Sequence, residues 1–344
     1  MKENNHNKYR YKVAVIGGGT GLPVILKGLK NINAYISAIV TVADDGGSSG
    51  VIRDYINVVP PGDIRNCMSA LSELDPQLIE LFQYRFNTDD DFLGGHAIGN
   101  LLIVALNELT GDLSSALEYL SDIMQVKGQI LPAAQEPLVL NALFEDGTLA
   151  IGESKIAKHR KKIQEVTVTT TKGEEAIHAS PKVVEAILEA DMVVIGPGSL
   201  YTSILPNLMI QDIKDAVNQT EAEVVYICNI MTQLGETENF TDADHVEVLH
   251  QHLGHPFIDT VLVNTTEVPN DYIVNQKNEE YLLQVKHDFI GLRKEGCRVI
   301  SNNFLSMKDG GAYHDTNNVV SELAHLLETT KLNRIAKQKN IKEA

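Results

Sequence analysis

The chain of 344 residues has few cysteines and no long apolar run. Cys67, Cys228 and Cys297 are far apart and form no C-x-x-C pair, so we expect free thiols in a reducing compartment. No segment approaches the roughly 18 apolar residues that a membrane span needs. The polar stretch 1–12 lacks the apolar centre of a signal peptide. These absences predict a cytoplasmic protein.

Positive charge is also scarce. The chain has 29 Lys and Arg against 46 Asp and Glu, a formal net charge of -17. A surface of this sign repels nucleic acid and anionic membranes, so neither is expected as a partner. An acidic protein can still bind an anionic ligand, because a local group of backbone N–H donors outweighs distant charges.

A strand, a glycine loop and a helix start follow one another near the N-terminus. Residues 11–16 are apolar and β-branched, which is typical of a central parallel strand. Gly17, Gly18, Gly19 and Gly21 remove side chains from the bend, so backbone N–H groups can approach a phosphate. The spacing fits neither G-x-G-x-x-G nor a P-loop. A tight turn without a ligand is the alternative interpretation.

A pair of carboxylates follows the predicted second strand, residues 36–42. Asp44 and Asp45 lie where a dinucleotide-binding fold places its ribose-binding acid. With the Gly- and Ser-rich residues 46–50 after them, they suit ribose hydroxyls, a Mg²⁺ ion or general-base chemistry. An acidic surface turn is the alternative, but the position in a βαβ unit favours a functional role.

Two further segments open helices with polar residues. In residues 60–66, Asp63 is expected to cap a helix, and Arg65 either faces an anion or is solvated. Residues 94–100 lead into an apolar helix that the pattern predicts to be buried, with His96 and Asn100 at its polar end as caps or ligand-facing groups. The stripe of that helix consists of Ile98, Leu101, Leu102, Ala105, Leu106 and Leu109.

Strand-like and helix-like segments alternate along the chain, which predicts an α/β fold with a doubly wound, mostly parallel sheet. Residues 137–180 are expected to form a small antiparallel insertion in a single domain, residues 11–330. The flanking segments, 1–10 and 331–344, are expected to be a disordered tail and a basic C-terminal tail.

Loops at the carboxyl ends of parallel strands meet at one edge of a sheet, where such folds bind ligands. By this rule the segments 17–21, 44–50, 196–203 and 229–237 all lie at one rim. The histidines of the helical segment 242–253 lack the spacing of a metal cage, so no metal is expected there.

These segments resemble the CofD-like family, and within it the bacterial YvcK (GlmR) branch of gluconeogenesis factors. The resemblance runs from about Tyr11 to Leu327. The motifs that carry it are GGGTGL, TVADDGGSSG, PPGDIRNC, GGHAIGNLL, GPGSLYTSILPNL and NIMTQLGET, in this order.

The resemblance implies a Rossmann-like sheet and binding of UDP-sugars, notably UDP-N-acetylglucosamine, linked to cell-wall precursor supply and cell shape during gluconeogenic growth. As partners it implies a cytosolic enzyme of amino-sugar synthesis, and we also expect a homo-oligomer. Enzymatic relatives transfer a 2-phospholactyl group from a guanosine diphosphate carrier to a deazaflavin alcohol with Mg²⁺, and Asp44 and Asp45 match their acidic pair. Gln276 and Tyr313 stand where close relatives carry a tyrosine and an arginine implicated in sugar-nucleotide binding.

Two hypotheses follow: a sugar-nucleotide-binding regulator, or a Mg²⁺-dependent transferase in which Asp44 and Asp45 are catalytic or bind the metal. An NAD oxidoreductase is disfavoured by the missing last glycine of its fingerprint. Rim and resemblance together assign ligand binding to Gly17, Gly18, Gly19, Thr20, Gly21, Asp44, Asp45, Gly46, Gly47, Ser48, Ser49, Arg65, His96, Asn100, Gly196, Gly198, Ser199, Tyr201, Asn229, Thr232, Gly235, Glu236 and Thr237.

Overall fold

The protein is represented by a computed structural model, which describes residues 9–56, 58–86, 94–173, 176–269, 281–308 and 311–343. The strands are β1 Tyr11–Gly17, β2 Ala34–Val40, β3 Gln129–Pro132, β4 Leu138–Phe144, β5 Leu149–Ile151, β6 Ile163–Thr170, β7 Met192–Ile195, β8 Glu223–Ile227, β9 Met231–Gln233, β10 Thr260–Asn264, β11 Tyr281–Gln284, β12 Arg298–Asn302, β13 Leu305–Lys308 and β14 Gly311–His314. The α-helices are α1 Gly21–Leu29, α2 Gly47–Ile56, α3 Pro61–Leu71, α4 Pro76–Gln83, α5 Ile98–Thr110, α6 Leu113–Ile123, α7 Glu153–Ile156, α8 Pro181–Leu188, α9 Leu205–Leu208, α10 Gln211–Gln219, α11 Asp242–Leu253, α12 Phe289–Lys294 and α13 Thr316–Glu343.

A seven-stranded parallel sheet forms the centre of the fold, in the order β12-β10-β8-β7-β1-β2-β3. Its inner strands are apolar throughout because helices cover both faces of a doubly wound sheet. β7, for example, is buried along its whole length. The predicted α/β fold with a doubly wound, mostly parallel sheet is confirmed.

The strand order reverses at β1. From β1 the chain builds outward through β2 and β3, and it later returns to the other side of β1 with β7 and continues through β8 and β10. Adjacent loops therefore leave β1 and β7 in opposite directions and open a crevice at the carboxyl edge. Both glycine loops follow these two strands.

The second strand ends earlier than the sequence predicts. Residues 36–42 are the predicted strand, but β2 ends at Val40 because its partner β1 ends at Gly17. The Thr41 N–H still donates to the Gly17 carbonyl oxygen at 3.0 Å, and the chain beyond leaves the sheet. Asp44 and Asp45 consequently lie on a connection between β2 and α2, beyond the strand end.

Three small antiparallel sheets decorate the central one. The predicted insertion contains the order β5-β4-β6, while β9 pairs with β11 and β13 with β14. The histidine-rich segment forms α11 with a capping box at Thr241. No group of His, Cys, Asp or Glu suited to a metal occurs in the described parts of the chain.

The apolar stripe of α5 is not buried, and this prediction was wrong. Leu101, Leu102, Ala105 and Leu109 are exposed, whereas Ile103 and other residues on the opposite side face the core. The reason is that α3 contacts α5 through a face that includes Gly99 and Asn100, both buried. The more apolar side of the helix is therefore left outside.

Near the C-terminus, α13 runs without a break across the predicted boundary at residue 331. The domain limits of 11–330 remain a prediction. Within the described ranges, no helix has both the length and the apolar character to span a bilayer. Tyr313 is exposed on β14, whereas Gln276 lies outside the described residues.

Candidate functional site

Two glycine loops touch at the reversal point of the sheet. A Cβ added to Gly198 would lie 3.3 Å from the Gly18 carbonyl oxygen, and one added to Gly21 would lie 2.7 Å from the Pro197 carbonyl oxygen. Larger residues would push the loops apart, since Cβ contacts of this length are closer than packing allows. The glycines thus bring the ends of β1 and β7 into direct contact.

Gly18 and Gly19 also approach the third element of the site, Asp63 of α3. A Cβ on Gly18 would lie 2.3 Å from Thr41 Cγ2 and 2.9 Å from Asp63 Oδ2. Gly19 has φ +64°, a conformation that favours glycine. Its N–H donates to Asp63 Oδ2 at 2.6 Å. Gly17 alone has room, because the nearest atom to its added Cβ is 3.8 Å away.

Asp63 was predicted to cap a helix, and this is wrong. The α3 N-terminus is instead capped by Ser49, whose Oγ accepts the Gly62 N–H at 3.1 Å. Asp63 turns toward the glycine loop, and burial together with nearby Asp44 raises its pKa to about 6, against the hydrogen bond from Gly19. A carboxylate therefore occupies the kind of N–H donor that binds phosphate oxygens.

The two predicted carboxylates have different local partners. Asp44 Oδ1 accepts the Gly46 N–H at 2.8 Å, which holds the turn into α2. Asp45 Oδ1 accepts the Ser154 N–H at 2.8 Å and thereby ties the rim to the insertion. The Asp45 N–H points back to Glu153 Oε2 at 3.4 Å. Asp45 is thus an anchor for the insertion as well as a rim residue.

Glu153 joins the site from the insertion, and sequence reasoning missed it. Burial, followed by the charges of Asp44, Asp45 and Asp63, holds the pKa of Glu153 well above its usual range. Its carboxyl group is therefore neutral near pH 7. Nothing in the local sequence marks this residue, because it reaches the rim only through docking of the insertion.

A polar chain runs from α3 to α5 and the start of α2. Arg65 donates to Asn100 Oδ1 at 2.9 Å, Asn100 Nδ2 donates to Ser48 Oγ at 3.0 Å, and Ser48 Oγ lies 2.9 Å from His96 Nδ1. Arginine can only donate, so the Asn100 amide must present its oxygen to Arg65 and its NH₂ to Ser48.

The direction of this chain determines the state of His96. With Ser48 Oγ accepting from Asn100, the single Ser48 hydroxyl hydrogen points to His96 Nδ1. Neutral His96 then carries its proton on Nε2. Arg65 itself is 3% exposed, and its other partner is Asn66 Oδ1 at 2.8 Å, so it supports the rim from behind.

The loop after β8 is tied to the second glycine loop. Asn229 Nδ2 donates to the Gly198 carbonyl oxygen at 2.8 Å, and Gln233 Nε2 donates to Ser199 Oγ at 2.8 Å. Gln233 was not predicted as a site residue, although it lies in the NIMTQLGET motif. Gly235 packs so closely that a Cβ there would lie 2.2 Å from the Ala157 carbonyl oxygen.

The predicted site residues therefore fall into two groups. Those with solvent access at the rim are Gly19, Thr20, Gly21, Asp44, Asp45, Gly46, Gly47, Ser48, Gly198, Ser199 and Asn229. Those buried behind it are Gly17, Gly18, Ser49, Arg65, His96, Asn100, Gly196, Tyr201, Thr232, Gly235, Glu236 and Thr237.

A Mg²⁺ ion fits this rim only in part. Oδ1 of Asp44 and Oδ1 of Asp45 already accept internal N–H groups, which leaves Oδ2 of each carboxylate for a cation. Mg²⁺ commonly takes one or two protein carboxylates and completes its shell with phosphate and water oxygens. The rim suits that mode rather than an all-protein cage.

The chain is similar to proteins with a shared family name. A family model described as 2-phospho-L-lactate transferase CofD matches residues 13–305. A Streptococcus pyogenes serotype M3 relative, named as a gluconeogenesis factor, is 53% identical over 320 residues, 93% of this chain and 98% of the relative. The gluconeogenesis factor of Listeria monocytogenes is 48% identical over 316 residues, 92% and 95% of the two chains.

Solved structures agree with these sequence matches. A crystal structure from Bacillus halodurans superposes with a TM-score of 0.87 at 42% identity and covers 91% of this chain and 98% of that one. A second crystal structure of that protein describes it as a member of the UPF0052 family.

The buried carboxyl of Glu153 generates a prediction about pH. Its unfolded pKa is near the model value of 4.5 and its folded pKa is higher, so wild-type stability must fall as pH rises through this interval. Glu153→Gln removes this loss. In EDTA, its Tm should exceed that of wild type by roughly 2 °C or more at pH 8 and match it near pH 5.

The matched control is Glu165→Gln, an exposed glutamate on β6 of the same insertion. Its Tm difference from wild type should not change with pH. A Glu153→Gln advantage that stays constant from pH 5 to pH 8 would contradict the raised pKa.

Proposed function

Because the chain belongs to the CofD family, we propose that it binds a sugar nucleotide of the UDP-N-acetylglucosamine type and acts as a regulator. The observation that carries this proposal is the contact of two glycine loops at the reversal point of the sheet. That crevice is where doubly wound folds hold nucleotides. The Gly19 N–H there is already paired with a carboxylate.

The Asp63 contact supports a diphosphate as the anionic part of the ligand. A phosphate oxygen can take over the Gly19 N–H when Asp63 moves away or takes up a proton. With its pKa raised to about 6, Asp63 loses less by giving up this hydrogen bond than an ordinary carboxylate would. The start of α1 adds the partial positive charge of a helix N-terminus.

Polar groups beside the phosphate position suit a sugar or a ribose. Asp44 accepts hydrogen bonds from hydroxyl groups through Oδ2, and Ser48 lies in an oriented chain with His96. Carboxylates and oriented side-chain donors are the usual partners of ligand hydroxyls at such rims. They support binding of a sugar nucleotide over a bare nucleotide.

The regulatory part of the proposal follows from the relatives. The similar proteins are named gluconeogenesis factors. We propose that ligand binding in the cytoplasm is coupled to cell-wall precursor supply and cell shape during gluconeogenic growth. Coupling requires a protein partner, for which a cytosolic enzyme of amino-sugar synthesis is the candidate.

A Mg²⁺-dependent transferase is the second candidate. The family model carries a transferase description, and Asp44, Asp45 and Glu153 place three carboxyl groups at the rim. When bound by Oδ2 of Asp44 and Asp45, Mg²⁺ would neutralise phosphate charge. Incubation with UDP-sugar, or with UTP and a sugar phosphate, with and without Mg²⁺, shows whether any product forms.

The glycine loop predicts a sharp difference between two alanine variants. At φ +64°, Gly19→Ala introduces backbone strain of about 1–2 kcal/mol and brings a Cβ 3.2 Å from Ser203 Oγ. Gly17→Ala meets only ordinary contacts. Calorimetry should show UDP-N-acetylglucosamine affinity at least about tenfold weaker in Gly19→Ala and within twofold of wild type in Gly17→Ala. Equal affinities in two variants that circular dichroism shows to be folded would mean that the loop is only a turn.

A diphosphate site also predicts a ligand series. UDP-N-acetylglucosamine and UDP should bind more tightly than UMP, because UMP lacks the second phosphate. Loss of one charged hydrogen-bonded contact costs roughly 1.5–3 kcal/mol, about ten- to a hundredfold in Kd. Titration of the three nucleotides under one buffer tests this, and equal Kd values for UDP and UMP would rule out a diphosphate cradle.

Asp44→Asn separates the regulator from the transferase. In a regulator the neutral amide should weaken ligand binding without loss of any reaction. In a transferase it should lower the rate by several powers of ten while binding survives, because the lost interaction strengthens in the transition state. We expect weaker binding. Asp45→Asn is the less suitable variant, since it also removes the Ser154 contact that holds the insertion. A Mg²⁺-dependent product that Asp44→Asn abolishes with affinity intact would reverse the assignment.

A further inference from the structure

The apolar side of α5 faces outward along the full helix. Leu101, Leu102, Ala105 and Leu109 are exposed, and Leu109 is 82% exposed. Together they form an uncharged strip about 100° wide, as expected for a helix that packs against another element. In a single copy of the chain, nothing in the described structure covers this strip.

The neighbouring helices extend the same surface. α4 and α6 both pack against α5, and their outward sides add Leu78, Leu81, Tyr84, Tyr119 and Ile123, each at least half exposed. The eight large side chains of the three helices leave on the order of 800 Å² of surface, which is about the area that each partner of a standard interface buries. We call this surface of α4, α5 and α6 the α5 face.

We propose that the α5 face is a homodimer interface in which α5 packs antiparallel against α5 of a second copy, with the two-fold axis at Ala105. The proposal does not depend on the proposed function. Its basis is the symmetry of the strip, because an isologous interface must be complementary to itself.

The strip is symmetric about Ala105. Leu101 and Leu109 lie four residues before and after it, about 6 Å along the helix in each direction. In an antiparallel pair, Leu101 of one copy therefore meets Leu109 of the other. A small residue at the crossing point allows the two helices to approach closely.

Charge placement favours the same occupant. The protein has a net charge of -17, so two copies repel each other unless their contact is uncharged. Glu108, three residues after Ala105, lies opposite Leu102 of the second copy rather than opposite its own counterpart. On the flank, Glu118 pairs with Lys182 within one copy. Symmetry thus brings leucines together and keeps the acidic side chains apart.

The test uses charges placed on the axis. Ala105→Glu and Ala105→Lys each set two like charges against each other in a two-fold dimer, and only there. Sedimentation equilibrium on the full chain should show a dimer for wild type at micromolar concentration. Each variant alone should raise the dimer Kd by about a hundredfold or more. A mixture of the two variants should recover dimers, because opposite charges then meet.

Ile290→Glu on α12 is the matched control, since it places the same charge at an equally exposed apolar site outside the α5 face. It should dimerise like wild type. Circular dichroism confirms that each variant is folded. A monomeric wild type would mean that another protein covers this face, and the proposal would be overturned. A dimer that Ala105→Glu leaves intact, or variants that do not recover dimers on mixing, would overturn it equally.

Discussion

The close contact between the loops after β1 and β7 is the constraint on which the rim depends. These strands are neighbours in the sheet but far apart in the chain, and their loops leave the sheet at the point where the strand order reverses. Gly18, Gly21 and Gly198 permit the contact because none tolerates a side chain without shifting backbone. The glycines serve the protein's own packing first, and exposure of N–H groups follows from it.

The same constraint explains why a carboxylate lies inside the glycine loop. With Gly18 pressed against Thr41 and Asp63, the Gly19 N–H would be buried without an acceptor unless a side chain supplied one. Asp63 supplies it at the cost of a raised pKa. An internal acceptor of this kind keeps the donor satisfied without a ligand, and a phosphate oxygen offers the same charge at the same place.

The sequence predicted the elements of the rim well and their partners poorly. The doubly wound sheet, the two glycine loops and the acidic turn all follow from local patterns, because strand periodicity and glycine content are local properties. Roles that depend on distant contacts were not predictable. Asp63 turns to a loop 44 residues away in sequence, and Glu153 reaches Asp45 across 108 residues. Ser49 rather than Asp63 caps α3, since only the folded chain brings α2 and α3 together.

The error on α5 has a different physical origin. A periodic apolar stripe shows that a helix has one side to bury, but it does not say against what. Here the inward side is defined by polar contacts, because Asn100 must reach both Arg65 and Ser48. Rotating α5 to bury its leucines would break that chain and leave the Arg65 guanidinium without its Asn100 acceptor in the interior, which costs more than an exposed apolar strip. The site therefore determines the orientation of α5, and through it which surface of the protein remains apolar.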